Sequence, residues 1–435
     1  MSAFRSFDIR GIYPEEVNEK LAYNVGRAIV QFFKAKTIVV GRDCRTSSLA
    51  LQKALIYGIT DQGCNVINIG LCNTPMLYYA SFKHHAIMIT ASHNPAKYNG
   101  IKIVGKGFIE IGYKNGLNKI EKLVNSCHFP EPKKLGRATS KNILSEYIDF
   151  TKKTISGKYK KLCVLIDCGN GMAGYVVPKL LAGLPIKYNL LYGKLDGTFP
   201  NHTPNPAEPK NTKELQKQIK QGKYDLGICY DGDCDRAFFI DENGKRIPSV
   251  KTLLLFAQHI IKKGQKILYT VNSGRVAEEF IPKWEGKAIA VPIGHTEVQR
   301  EMIKHDAVLG AELSGHFYFK KFKYGDSGDL AALTILTLLS QTDKTISELI
   351  KPFDKYQTSE ELNFKVKDRE TVRKKLKKRY AKFIIKSVDG VSVNTGKFWF
   401  NFRISNTQPL VRLVVEAKDQ KTLKNAIKEI TQYIH

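Results

Sequence analysis

Short apolar runs alternate with amphipathic stretches along most of the 435-residue chain. Runs such as TIVVGRD (37–43) and LCVLID (162–167) have the length and the β-branched residues of buried strands. Segments such as KTLLLFAQHIIKKG (251–264) space their apolar residues along one helix face. Thr74 and Pro75 have the chemistry of an N-cap and a first helical residue. The alternation predicts α/β units around mostly parallel sheets.

The pattern changes after Pro352. A basic helix precedes three strand-like runs, VSVNTG (391–396), FWFNFRIS (398–405) and LVRLVVEA (410–417), and one more helix follows them. Because turns rather than helices join these strands, we expect a small antiparallel α+β domain.

These changes of pattern divide the chain into four predicted domains. A single core rarely grows beyond about 250–300 residues, so a chain of this length should hold several. The first three blocks share the α/β rhythm. The predicted domains span 1–136, 137–243, 244–352 and 353–435.

The charge balance is strongly basic, with 69 Lys and Arg against 41 Asp and Glu and a formal net charge of +28. Such an excess attracts anions of many kinds. Its densest run, RKKLKKR (373–379), lies between Val372 and Tyr380 with Leu376 at helical spacing, which predicts the solvated face of a helix. The charge is otherwise spread along the chain without a recognition motif. A nucleic-acid-binding protein stays an alternative, but we expect no specific nucleic-acid partner.

The cysteines and the apolar segments indicate the compartment. None of the eight cysteines forms a Cys-x-x-Cys pair, and several lie in strand-like runs, which favours buried thiols in a reducing environment. The N-terminus lacks the apolar segment of a signal peptide. Apolar stretches fall short of the ~20 residues of a membrane span. We therefore expect a soluble, cytoplasmic protein that does not associate with membranes.

An acidic cluster, DGDCDR (231–236), follows a predicted strand. Asp231, Asp233 and Asp235 recur at alternate positions, and carboxylates this close repel one another unless a cation holds them. Oxygen-only ligands select a hard ion such as Mg²⁺, Mn²⁺ or Ca²⁺. An EF-hand is disfavoured because Arg236 stands where that loop needs glycine, while a solvated acidic turn stays an alternative. Arg236 also supplies a charged donor for an anion that bridges metal and protein.

The stretch VLIDCGNGMAG (164–174) has the G-x-G-x-x-G spacing of dinucleotide-binding proteins, with Asp196 further along. Asp167, however, would place a negative charge where a pyrophosphate approaches. We favour a turn that needs small residues beside an active site. A dinucleotide-dependent oxidoreductase stays an alternative.

Three further loops carry reactive or polar groups. In ITASHNPAKYNGIKI (89–103), Ser92 and His93 stand where a buried strand reaches solvent. GAELSGHFYF (310–319) sets an acid, a hydroxyl and an imidazole at alternate positions, which suits a polyol. FRISNTQPLVRL (402–413) surrounds one turn with arginines and hydroxyls, as in a phosphate site. Taken singly, each loop has a plainer interpretation as a cap, a hairpin turn or a pair of surface arginines.

In this order, the loops resemble the α-D-phosphohexomutase family, in particular its phosphomannomutase/phosphoglucomutase branch. The motifs are FDIRG (7–11), GRDCRTSS (41–48), TASHNP (90–95), YNGIKI (98–103), DGDCDR (231–236), ELSGH (312–316) and RISNTQP (403–409). The resemblance covers nearly the whole chain. It implies three similar mixed α/β domains with layered sheets and a C-terminal α+β domain with an antiparallel sheet, arranged around a central cleft. These domains would carry, in order, the phosphoserine, metal-binding, sugar-binding and phosphate-binding loops.

The resemblance also implies an isomerase that interconverts the 1- and 6-phosphates of mannose, glucose or both. Ser92 would carry a phosphoryl group and pass it to the sugar, and the resulting hexose 1,6-bisphosphate would turn around and return its other phosphate. One Mg²⁺ per chain would be held by Asp231, Asp233, Asp235 and Ser92. Hexose 1,6-bisphosphate would be both intermediate and activator.

Roles for the other loop residues follow from the same resemblance. The groups that would stabilise charge or move protons are His93, Arg10, Lys102, Arg236, His295 and His316. The substrate-binding groups would be Glu312, Ser314 and His316 for the sugar, and Arg403, Ser405, Asn406, Thr407 and Arg412 for the phosphate. We expect small phosphosugars as partners and a monomer or weak dimer.

Two positions depart from the family pattern, and one related activity stays open. Gln408 stands where many relatives have Glu, and Pro292 lies where relatives often place a lysine. Phosphoglucosamine mutase, which resembles this chain in fold and mechanism, stays an alternative for the substrate.

Overall fold

The computed structural model describes residues 3–405 and 410–434. They form two compact units. The first unit holds residues 3–247 and 314–347, and the second holds the described residues of 248–313 and 348–434. None of the helices described has both the length and the apolar character needed to cross a membrane. The four-domain division 1–136, 137–243, 244–352 and 353–435 stays a prediction.

Helices and strands alternate through the first two predicted domains. Residues up to 143 form β1 (Ile9–Ile12), α1 (Glu19–Phe33), β2 (Thr37–Arg42), α2 (Ser48–Asp61), β3 (Asn65–Leu71), α3 (Thr74–Ser81), β4 (His85–Ile89), β5 (Tyr98–Gly105), β6 (Ile109–Glu110), α4 (Leu117–Ser126) and β7 (Ala138–Ser140). Next come α5 (Leu144–Thr154), β8 (Leu162–Asp167), α6 (Ala173–Leu181), β9 (Ile186–Leu191), α7 (Lys213–Gln221), β10 (Leu226–Tyr230), β11 (Ala237–Ile240) and β12 (Arg246–Ile247).

The rest of the chain begins in the same way and then changes character. It continues with α8 (Ser249–Ile260), β13 (Lys266–Thr270), α9 (Val276–Phe280), β14 (Lys287–Val291), α10 (His295–His305), β15 (Leu309–Ala311), β16 (Phe317–Phe319), β17 (Gly325–Asp326), α11 (Gly328–Ser340) and α12 (Ile346–Ile350). The C-terminal part holds β18 (Gln357–Thr358), β19 (Leu362–Phe364), α13 (Arg369–Arg379), β20 (Ile384–Lys386), β21 (Val391–Asn394), β22 (Phe398–Ile404), β23 (Val411–Ala417) and α14 (Gln420–Thr431).

Two mixed sheets organise the first unit. One has the order β1-β5-β4-β2-β3-β7, with β6 beside β5. In it β2 runs parallel to β3 and β4, whereas β5 is antiparallel to β4 and β1. The other, β12-β11-β10-β8-β9, is parallel on both sides of β8 and antiparallel from β10 to β12. The loops that leave β4 and β10 start at the carboxyl ends of parallel strands, where ligands gather in α/β sheets.

The second unit combines parallel and antiparallel strands. β13 pairs in parallel with both β14 and β15. Among the residues described, the C-terminal strands pair antiparallel, in the order β18-β23-β22-β21-β20 with β19 also beside β23. The apolar side chains of α13 and α14 pack on this sheet. The fold class, three α/β domains with mixed sheets and a C-terminal antiparallel α+β domain, is confirmed.

Side-chain caps explain several helix starts, and one of them corrects a prediction. Asn18, Asp368 and Asp419 cap α1, α13 and α14 by accepting backbone N–H groups. The prediction that Thr74 caps α3 is wrong. Asn73 is the cap and accepts from the backbone N–H of Met76 at 2.9 Å, which leaves the Thr74 hydroxyl free for a tertiary contact.

Candidate active site

Ser92 lies in the loop between β4 and β5. Its φ is +50°, a left-handed conformation that costs free energy in residues other than glycine. The residue is only 2% exposed. Its Oγ donates to Asp231 Oδ2 at 3.0 Å and lies 3.1 Å from His93 Nδ1. The strained turn therefore points the hydroxyl at the acidic cluster.

Asp231, Asp233 and Asp235 lie in the loop between β10 and β11, and all three are buried. One carboxylate oxygen from each lies within 4.8 Å of the others. Asp231 Oδ1 accepts from the backbone N–H of Arg236 at 3.2 Å, and Asp233 Oδ2 accepts from Thr74 Oγ1 at 2.6 Å. The three predicted carboxylates thus form one cluster with Ser92 at its edge.

Two cations flank the cluster. Lys102 Nζ lies 3.1 Å from Asp233 Oδ2 and 2.5 Å from Asp235 Oδ2. Arg236 Nε lies 3.5 Å from Asp231 Oδ2. Burial alone would lower the pKa of Lys102, but the two carboxylates outweigh it and raise that pKa above its ordinary value. Lys102 is therefore held as an ammonium ion.

The pKa values of Asp231 and Asp235 are shifted in opposite directions. Burial, reinforced by Asp235 and Asp233, raises the pKa of Asp231 well above its usual range. Burial acts on Asp235 in the same direction, but Lys102 and the other nearby cations hold its pKa well below the usual range. Full ionisation of the cluster therefore calls for a further positive charge.

Mg²⁺ fits the aspartate cluster as the source of the further positive charge. Within the described part of the chain, Asp233 Oδ1 and Asp235 Oδ1 are buried and accept no hydrogen bond. Buried oxygens of this kind are costly unless a donor or a cation satisfies them. The three aspartates offer oxygen ligands only, which is the set that hard divalent ions prefer.

The glycine-rich stretch 164–174 packs against this site rather than forming a nucleotide cradle. A Cβ added to Gly174 would lie 1.9 Å from Gly193 O, and one added to Gly171 would lie 2.7 Å from Gly232 O. Asp167 is occupied by His202, whose Nε2 lies 3.1 Å from its Oδ2. The close approach of neighbouring backbones therefore accounts for these glycines.

Arg10 and His93 border Ser92. Arg10 lies on β1, forms an ion pair with Asp8 and donates from Nη1 to Asn94 Oδ1 at 3.3 Å. Burial, together with the charges of Arg236 and Arg10, lowers the pKa of His93 well below its usual value. A neutral imidazole therefore faces the Ser92 hydroxyl.

Ser314 and His316 reach the acidic cluster from the loop that precedes β16. His316 Nε2 lies 3.2 Å from Arg236 Nε and 3.6 Å from Asp235 Oδ1, while its Nδ1 lies 2.9 Å from Ser314 Oγ. Asp326 Oδ2 is 3.5 Å from the same Nε2. The structure thus brings His316 beside Asp235 and Arg236, and Ser314 contacts the other ring nitrogen of His316.

Glu312 and His295 belong to the second unit, where they lie around one turn. His295 is the first residue of α10, and Gly294 before it donates its backbone N–H to Glu312 Oε1 at 2.8 Å. Ile293 donates its backbone N–H to Asp389 Oδ2 at 3.1 Å. Within this unit, the turn that carries His295 is therefore tied to the C-terminal sheet.

The two predicted phosphate-binding arginines lie side by side in the second unit. Arg403 on β22 and Arg412 on β23 are directly paired across the strands. Arg403 Nη2 and Arg412 Nη1 each lie 3.0 Å from an oxygen of Glu361, one on Oε1 and the other on Oε2. Ser405 is buried at the end of the same hairpin. Asn406 and Thr407, with Gln408, lie outside the described residues.

The sequence did not identify three residues that support these sites. Thr74 binds Asp233, Glu361 holds both arginines, and Arg45 lies under the Ser92 loop. Arg45 does stand within the quoted GRDCRTSS motif, but nothing in its spacing indicates which backbone it contacts. Each of these contacts joins residues far apart in the chain.

Comparisons with known proteins agree with this geometry. The α/β/α domains I, II and III of the phosphoglucomutase/phosphomannomutase family match residues 1–131, 145–244 and 248–356, and its C-terminal domain matches residues 361–432. A phosphomannomutase of Vibrio cholerae is 36% identical over 100% of this chain and 98% of its own. One of Methanocaldococcus jannaschii is 35% identical with the same coverage.

A solved structure extends the similarity to the fold. It is a phosphoglucomutase/phosphomannomutase family protein from Burkholderia thailandensis, 27% identical with a TM-score of 0.91, and the match covers 99% of this chain and 96% of that one. The chain therefore belongs to the phosphoglucomutase/phosphomannomutase family.

Proposed function

We propose that this enzyme interconverts the 1- and 6-phosphates of mannose, glucose or both through phosphorylated Ser92 and a hexose 1,6-bisphosphate. The observation that carries the proposal is the Ser92 hydroxyl, held in a strained turn 3.0 Å from a buried three-aspartate cluster. Phosphoryl transfer depends mainly on alignment and on charge neutralisation, and this site offers both.

The transfer exchanges two bonds to phosphorus. The bond from Ser92 Oγ to phosphorus breaks while a bond forms from a sugar hydroxyl oxygen, and the hydroxyl proton leaves. His316, buried beside Ser314, is the group that we assign to accept it. Neutral His93, with Nδ1 3.1 Å from Oγ, would hydrogen-bond the freed serine oxygen, which takes up a proton from water. The same exchange run in reverse, with the sugar turned around, gives the isomeric phosphate.

Charge stabilisation falls to the cations of the site. Lys102, kept protonated by Asp233 and Asp235, and Arg236 would balance the charge on the phosphoryl oxygens, with Arg10 beside the Ser92 loop. One Mg²⁺ per chain, bound by Asp231, Asp233, Asp235 and Ser92, would add neutralisation at the transferring group. Hexose 1,6-bisphosphate would also act as activator, because a chain with free Ser92 needs a phosphate donor before its first turnover.

We assign the phosphate that is not reacting to the paired arginines. A hexose bisphosphate carries its two phosphates at opposite ends, so the second needs a separate anion site. Arg403 and Arg412 are paired across β22 and β23 and present two guanidinium groups side by side, both in contact with Glu361. Glu312 and Ser314 would bind sugar hydroxyls, and His295 would add a charge or a proton. Cytoplasmic location and a monomer or weak dimer stay predictions of the sequence.

A coupled assay with mannose 1-phosphate, glucose 1-phosphate and glucosamine 1-phosphate tests the proposed function. We expect turnover of at least one of the first two, dependent on added hexose 1,6-bisphosphate. Turnover of the glucosamine phosphate alone would assign the chain to the alternative substrate, and no turnover of any of the three would refute the proposal.

Replacing Arg403 with alanine should weaken substrate binding without changing sugar preference. Losing one charge-assisted hydrogen bond costs about 1.5–3 kcal/mol, which corresponds to roughly 10- to 100-fold in kcat/KM. We expect KM to rise and kcat/KM to fall by the same factor for mannose and glucose phosphates, because this site binds the phosphate group rather than the sugar. Ser92 should stay phosphorylated. Arg300→Ala, an exposed arginine of α10 in the same unit, is the control. A changed ratio between the two sugars at unchanged affinity would show that Arg403 contacts the sugar instead.

A further inference from the structure

Arg45 is a buried arginine in the turn after β2, and its side chain has no exposed surface. Nε donates to Asp43 Oδ2 at 3.1 Å. The other four donors all reach backbone carbonyls of residues 92–98, which are the Ser92 loop and the first residue of β5. Nη2 contacts the carbonyls of Ser92 at 2.9 Å and Asn94 at 2.6 Å, and Nη1 those of Pro95 at 2.9 Å and Tyr98 at 3.1 Å.

The number of N–H donors on the Arg45 guanidinium equals the number of acceptors around it. A guanidinium offers five N–H groups in a fixed fork, one on Nε and two on each terminal nitrogen. Arg45 has five acceptors distributed in the same way: one at Nε, two at Nη1 and two at Nη2. An ammonium group has three donors and no fork, so a lysine could not hold the four carbonyls together.

The surroundings of Arg45 fix the guanidinium itself. Asp43 balances its charge and is held in turn by Ser48 Oγ at 2.5 Å. The ring of Phe199, from the proline-rich stretch 196–209, covers the guanidinium with its centroid 4.9 Å from Cζ. These groups come from both of the first two predicted domains. Held between them, the Arg45 side chain has little freedom to move.

The Ser92 loop needs such a support because of its backbone. Ser92 adopts a left-handed φ of +50°, a conformation that persists in a serine only where the surroundings enforce it. Its carbonyl oxygen is held from one side by Arg45, and on another side a Cβ added to Gly232 would come within 2.5 Å of it. Both contacts restrain the carbonyl of Ser92, the residue whose side chain points at Asp231.

We propose that Arg45 is a positioning residue for phosphoryl transfer: it draws four carbonyls of the Ser92 loop onto one guanidinium and so fixes the direction of Oγ toward the aspartate cluster. This inference rests on the proposed role of Ser92. Arg45 touches neither substrate nor the reacting atoms in this arrangement. Replacing Arg45 should therefore lower kcat and make the Ser92 loop less ordered, with little effect on KM.

The test compares Arg45→Lys with the wild type and with Arg42→Lys. Arg42 is the matched control, because it ends β2 three residues earlier and donates to a single carbonyl, that of Asp43, at 3.1 Å. For Arg45→Lys we expect kcat to fall on the order of 10- to 100-fold, as for a small misplacement of a reacting group. Hydrogen exchange of residues 92–98 should quicken while exchange in α1 and α2 stays as in the wild type. Arg42→Lys should match the wild type.

Two results would overturn the assignment. One is an unchanged kcat in Arg45→Lys, and the other is a fall in kcat with faster exchange across the whole first sheet, since that would indicate a general role in folding. Should Arg45→Lys fail to fold, Phe199→Leu decides, because it removes the ring that restrains the guanidinium and leaves Arg45 itself in place. It should lower kcat more mildly and quicken exchange of residues 92–98, and no change in either would refute the proposal.

The proposed function can be judged separately in the same experiment. Incubation of the wild type with hexose 1,6-bisphosphate should phosphorylate Ser92. If the wild type stays unphosphorylated, the phosphoserine mechanism fails. If the wild type is phosphorylated and Arg45→Lys turns over equally well, only the role of Arg45 fails.

Discussion

Ser92→Ala should abolish turnover and remove the phosphate carried by the protein. Ser92 Oγ is the hydroxyl oxygen that reaches Asp231, and alanine offers no atom to receive a phosphoryl group. Loss of a covalent catalyst is among the largest effects a single substitution produces. Intact mass after incubation with hexose 1,6-bisphosphate should show one added phosphate on the wild type and none on the variant.

A matched serine separates the loss of the nucleophile from the loss of a buried hydroxyl. Ser81→Ala is the control, because Ser81 is fully buried and donates to the carbonyl of Tyr78 at 2.6 Å, away from the aspartate cluster. It should keep both the adduct and the activity. A fully active Ser92→Ala enzyme would rule out the phosphoserine mechanism.

Asp233→Asn should reduce kcat about 1000-fold with little loss of stability. A metal ion that neutralises a transferring phosphoryl group supplies several kcal/mol, and about 4 kcal/mol corresponds to roughly 1000-fold in rate. Asp233 Oδ1 is buried without a hydrogen-bond donor among the described residues, so it is available to a cation. Stability should change little, because the variant relieves repulsion between buried carboxylates while Asp235 still pairs with Lys102.

Metal binding provides a readout independent of turnover. Mn²⁺ titration followed by electron paramagnetic resonance should show one tight site in the wild type and a much weaker one in Asp233→Asn. Asp225→Asn is the control, since Asp225 lies at the other end of β10 and accepts from the backbone N–H of Cys163 at 2.7 Å. EDTA should stop wild-type activity and Mg²⁺ should restore it. Full activity in excess chelator would mean that the cluster is only an acidic turn.

The sequence predicted the elements where the signal is local. Apolar runs over residues 37–43, 162–167 and 398–405 indicated strands, and β2, β8 and β22 lie there. The apolar positions Val372 and Leu376 indicated the buried side of α13, and both are buried. Such signals need only neighbours in the chain, since the length of an apolar run and the spacing of apolar residues along a helix are both local.

The residues that hold the site in place could not be predicted from the sequence, because their contacts are with residues far away in the chain. The bond from Thr74 to Asp233 joins residues 159 positions apart, and those from Arg45 to the Ser92 loop span about 50 positions. No periodicity encodes either contact. The misassigned cap at Thr74 has the same origin, since both Asn73 and Thr74 are good capping residues and only the tertiary contact with Asp233 distinguishes them.

Short edge strands were also missed. β18 and β20 have two and three residues, too few to show an alternation, and they are defined by pairing with β23 and β21. In the same way, Glu361 precedes β19 in an otherwise ordinary acidic stretch. Its importance appears only when β22 and β23 bring Arg403 and Arg412 to its two oxygens.

The most direct test of the mechanism follows one phosphoryl group from enzyme to sugar. The protein is labelled at Ser92 with ³²P from labelled hexose 1,6-bisphosphate, freed of ligand, and mixed with unlabelled mannose 1-phosphate or glucose 1-phosphate. The account predicts that the label leaves Ser92 within a single turnover and appears in hexose bisphosphate and then hexose 6-phosphate. Label that stays on the protein, or that is released only as inorganic phosphate, would contradict it.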